Sequence, residues 1–131
     1  MNGLNTDRLV LSLSTNISNL EAAISSAESK IVDLETTEKE IEAEKPFFLS
    51  NAQFISARPI QTDGWMGGRA ERHELLREKV VGDFSYAEDH IEQMLSDIRA
   101  KKTKLKNEIT TMQNDILTKN ALIDELNRQS R

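Results

Sequence analysis

The stretch 91-IEQMLSDIRAKKTKLKNEITTMQNDILTKNALIDEL-126 decides the fold. Ile91, Leu95, Ile98, Lys102, Leu105, Ile109, Met112, Ile116, Lys119, Ile123 and Leu126 follow one another in alternating steps of four and three. Nine of these eleven positions are apolar, so the run keeps a single stripe turned toward a partner helix, as a heptad pattern does. Carried backward, the same register reaches Glu88, Phe84, Val81 and Arg77 and predicts a helix from about 69 to about 127. Gly82 lies inside it and lowers local stability by about 1 kcal/mol relative to Ala.

A second stripe lies upstream. Leu13, Ile17, Leu20, Ile24, Ala27, Ile31, Leu34 and Ile41 keep the same alternation, interrupted only by Glu38. This predicts a helix from about 6 to 44, with Asn5, Thr6 or Asp7 as its N-cap. Pro46 lacks a backbone donor and crowds the preceding turn, which predicts that the helix ends or kinks near Glu44. Residues 47–57, with Phe47, Phe48, Leu49, Phe54 and Ile55, read as a short second helix, and residues 58–68 as a bend.

Two heptad segments of matched length are most simply satisfied by each other. The fold class is therefore all-α: a single domain, residues 1–131, built as a long antiparallel helical hairpin with a kinked or broken middle. Pairing about the bend sets the basic run 99–106 near Glu21 and Glu28. It also leaves Glu35, Glu38, Glu40, Glu42 and Glu44 near Asp83, Glu88, Asp89 and Glu92, an acidic patch suited to a basic partner. Leu49, Met94, Leu117 and Leu122 fall beside the stripes, so a third or fourth helix from another chain is the natural completion.

Composition narrows the function classes. Hydrophobic residues make up 37% and charged residues 30%, a balance between a globular domain and a long-helix protein. There is no cysteine, which removes disulfides, thiolate catalysis and thiolate metal sites. No run approaches the roughly 20 apolar residues that cross a bilayer, and no basic region precedes an apolar block at the start, so neither membrane insertion nor a cleaved signal peptide is expected. The net charge of −5 belongs to residues 1–64, with ten acids and five bases, whereas 65–131 hold twelve of each. Without a basic face, nucleic acid is not an expected partner.

A search for chemistry is empty. His73-Glu74 opens an H-E-x-x-H pattern, but position 77 is Arg, and His90 lies too far along the helix to share an ion. No His–carboxylate pair is spaced to activate a Ser or Thr, and no phosphate-binding glycine motif occurs. Catalytic residues, metal ligands and cofactor are all expected to be none, and the chain is expected not to be an enzyme.

The bend is the distinctive segment. Asp63-Gly64-Trp65-Met66-Gly67-Gly68 places the single tryptophan among three of the five glycines. Trp65 can plug the end of the hairpin, or it can anchor a partner, since Trp is a favoured interface residue.

A long helix, the Trp65-Met66-Gly67 bend and a second long helix resemble the WXG proteins of bacterial type VII secretion. The first segment's length and the charged run Gly68-Arg69-Ala70-Glu71-Arg72 resemble one branch of these, the small helical partners encoded beside LXG-type toxins of Gram-positive bacteria. The resemblance implies that Trp65 and Gly67 take part in partner binding. It implies an adaptor that binds the helical N-terminal region of a toxin, with or without a second small helical protein. Such an adaptor resides in the cytoplasm or is co-secreted with its cargo. The family's Tyr-x-x-x-Asp/Glu export signal is not found after the second helix; Phe84-Ser-Tyr-Ala-Glu88 is a looser relative, with Phe84 and Glu88 as its remnant. The chain would then serve a cargo that carries the signal, or complete it jointly. The rival reading is a self-associating coiled-coil protein, a homodimer or four-helix bundle without cargo.

Overall fold

A computed structural model describes residues 3–57 and 67–130. Two α-helices account for them: α1, Gly3–Ala57, and α2, Gly67–Gln129. They pack against each other as a helical hairpin. The chain divides into two compact units, one of residues 1–35 with 100–131 and the other of residues 36–99.

In the first unit, the predicted stripes form the core. Ala27, Ile31 and Leu105 are buried together, with Leu34 and Ile109 packed against them, while Ile17 is buried further along α1. The stripe of α1 begins earlier than expected. Thr6 and Val10 extend its three-and-four spacing, and Thr6 is buried. This accounts for the difference at the N-terminus: α1 is already helical at Gly3, so Asn5, Thr6 and Asp7 lie within the helix and not at its cap. Threonines elsewhere are accommodated by donating to the carbonyl four residues back, as in Thr15 to Leu11 at 3.0 Å and Thr110 to Lys106 at 3.1 Å. The seam position Lys119 is half-buried and its ammonium donates to Asp115 at 2.7 Å.

In the second unit, Leu95 is the most deeply buried large side chain, at 1% exposure. Ile41, Phe48, Val81, Phe84, Ile91 and Ile98 of the same unit are half-buried at the predicted stripe positions. The pairing is antiparallel: Arg99 meets Glu38 and Glu42, Lys45 forms an ion pair with Glu92, and the Phe48 ring lies 5.1 Å from that of Phe84.

Two expectations are corrected here. Pro46 does not separate a helix ending near Glu44 from one at 47–57, because α1 runs through it. The stripe of α1 continues across the proline as Glu38, Ile41, Lys45, Phe48 and Ala52, all half-buried, with Pro46 itself exposed. Packing on both sides of the ring, through Ile41 and Lys45 before it and Phe48 after it, outweighs a local penalty of about 3 kcal/mol. The charge register also differs. Arg99 stands opposite Glu38 and Glu42, not near Glu21 and Glu28, and Glu92 faces Lys45, so the acids of α1 do not simply meet acids. The observed pairs, Glu38 with Arg99 and Lys45 with Glu92, are centred a few residues later in the sequence than the pairing expected from the middle of the bend.

Candidate partner-binding surface

Trp65 and the bend at 58–66 lie outside the described residues, and Gly67 is the first residue of α2. Phe84 and Glu88 are both half-buried in mid-helix, and Phe84 packs its ring on Phe48 at an interplanar angle of 45°. The neighbouring Tyr86 is 74% exposed and stacks on His90, with centroids 6.1 Å apart. Phe84 thus serves the seam, while Tyr86 faces solvent.

What the helices leave uncovered is considerable. In the second unit Phe47, Leu75, Leu76, Val80 and Met94 are exposed, Phe47 by 67% and Leu76 by 63%. In the first unit Leu4, Leu9, Leu11, Val32, Leu117 and Leu122 are likewise exposed. Scattered single apolar residues need no explanation, but eleven large ones among the described residues, with Tyr86 besides, are an excess of sticky surface. Met94, Leu117 and Leu122 were expected from their places beside the stripes; Leu49 proves half-buried.

In the second unit two of these residues, Phe47 and Met94, line a groove. This open groove of about 480 Å³ runs between α1 and α2, its apolar surface supplied by Ile41, Phe47, Phe48, Ile91 and Met94. Glu40, Glu44, Lys45 and Asn51 complete its lining. Sequence reasoning missed this site because Phe47 was read only as part of an apolar run. The signal was its position directly before the stripe residue Phe48, which turns it away from the seam.

Arg99 ties α2 to two acids of α1. Arg99 donates from Nε to Glu38 at 2.8 Å and from Nη2 to Glu42 at 2.9 Å. The hydrogen bond to Glu38, then that to Glu42, raises the arginine's pKa and holds the guanidinium charged. Among the described residues, no group of three or more His, Cys, Asp or Glu is placed to hold a metal ion. No described helix is long and apolar enough to cross a membrane.

A helical hairpin with uncovered apolar surface belongs to the class of small all-helical proteins. Residues 10–128 match the YwqH-like family, and the chain belongs to that family. No curated protein matches it, and no solved structure does.

Proposed function

We propose that the chain is a non-enzymatic helical adaptor, which binds the helical N-terminal region of a type VII secreted LXG-type toxin and helps present it for export. The observation that supports this reading is the open groove of the second unit, lined by Ile41, Phe47, Phe48, Ile91 and Met94 with Phe47 and Met94 exposed, on a fold of two helices. A third helix laid against them would bury surface that water now covers, at roughly 25 cal/mol per Å². The Trp65-Met66-Gly67 resemblance to WXG proteins names the partner class, and membership of a family of small helical proteins agrees with it. The adaptor acts in the cytoplasm and either stays there or leaves with its cargo.

The test is co-production of the full chain with the N-terminal region of the LXG-type toxin encoded beside it. The reading predicts a stable complex that survives purification, and loss of toxin export when the adaptor is deleted. Separate elution of the two proteins, with export unchanged by the deletion, refutes it and leaves the self-associating coiled coil.

A further inference from the structure

The groove of the second unit has a chemical character that its apolar floor alone does not describe. Glu40 and Glu44, one turn apart on α1, are both exposed along its edge. Neither is paired with a cation among the described residues. Lys45 also lines the groove, but its charge is answered by Glu92. The local balance is therefore two unanswered carboxylates in a groove whose apolar lining includes the exposed Phe47 and Met94. By contrast, Glu38 and Glu42 are each bonded to Arg99. The intramolecular cation serves one pair of acids on α1 and leaves the other pair to a partner.

We propose that this groove, between residues 40–51 of α1 and 91–94 of α2, receives an amphipathic helix whose apolar stripe is flanked by lysine or arginine. The proposal deepens the adaptor reading and rests on it for the identity of the partner, but not for the chemistry. An apolar stripe covers the lining that includes Phe47 and Met94, and a cation beside that stripe meets Glu40 and Glu44. A second copy of this chain is a poor occupant. In a two-fold interface the same patch faces itself, so Glu40 and Glu44 would meet the partner's own acidic edge. An anionic lipid surface is repelled for the same reason.

The test uses the full-length protein and two fluorescent peptides with the same single leucine stripe, one flanked by lysines and the other by glutamates. The lysine peptide should bind more tightly by about tenfold or more, and the gap should narrow as salt is raised. The double exchange Glu40→Lys with Glu44→Lys should reverse the preference, and Met94→Asp should weaken both peptides while circular dichroism shows the helices intact. If Met94→Asp unfolds the chain, the charge exchange at the exposed edge still decides the matter. Equal affinity for the two peptides, no binding of either, or indifference to the exchange overturns the proposal. The toxin region is titrated in parallel. If it binds wild type and the exchanged variant alike, the groove assignment fails while the adaptor reading stands. If only the lysine peptide binds, the groove stands and the toxin assignment fails.

Discussion

Leu95→Ala is the substitution on which the packing account can be tested most sharply. Leu95 is 1% exposed and sits on the α2 stripe among half-buried Ile91 and Ile98. Three carbons are removed, and at about 0.8 kcal/mol each the transfer loss is roughly 2.4 kcal/mol. The cavity contribution should be small, because a seam two helices thick can close or admit water. The expected cost is therefore about 2–3 kcal/mol, in the lower part of the range for buried leucines. Leu117→Ala is the matched control: the same chemistry at a side chain 67% exposed, with an expected change within about 0.5 kcal/mol. Urea unfolding followed by far-UV circular dichroism measures both, and comparable m-values keep the comparison valid. A Leu95→Ala midpoint equal to that of Leu117→Ala would refute the placement of Leu95 in the core.

Other outcomes follow from particular residues. Pro46→Ala should stabilise the protein by about 1–3 kcal/mol, since α1 is continuous through an exposed proline; a loss of stability on urea unfolding would mean that the helix ends there after all. Gly82→Ala should add up to about 1 kcal/mol, because a Cβ there meets nothing within 4 Å, and an unchanged melting temperature would count against an intact helix at that point. Arg99→Ala should lower the melting temperature, chiefly because the half-buried carboxylate of Glu38 loses this cation, the more exposed bond to Glu42 adding little; an unchanged melting temperature at low and high salt would mean that the pair contributes nothing to stability. Trp65→Ala should keep most of the helicity yet lose roughly 2 kcal/mol or more of affinity for the toxin region in titration calorimetry, whereas wild-type affinity would remove the bend from the binding surface.

Most of the fold was legible because a heptad stripe reports burial position by position. Every stripe residue from Ile91 to Leu126 is half-buried or buried, the lysines at 102 and 119 included. Pro46 was misread because local rules count the missing donor and the ring, but not the contacts of Ile41 before it and Phe48 after it. The charge register was misread because the pairing was centred on the middle of the bend, whereas the stripes pack about a centre a few residues later, where Arg99 meets Glu38 and Glu42. The candidate site was legible only as leftover apolar surface. Glu40 and Glu44 looked like the other acids of α1 until Arg99 was seen to answer Glu38 and Glu42.

The central claim is that this hairpin is completed by a foreign helix. Thermal unfolding of the full-length chain, alone and with an excess of the toxin's N-terminal region, tests it most directly, with light scattering to give the mass of each species. The account predicts a free chain of modest stability and a heteromeric complex, stabilised by about 2.7 kcal/mol when the toxin region stands at a hundred times its Kd. A chain that alone forms a dimer or four-helix bundle, and whose mass and melting temperature the toxin region leaves unchanged, would contradict it.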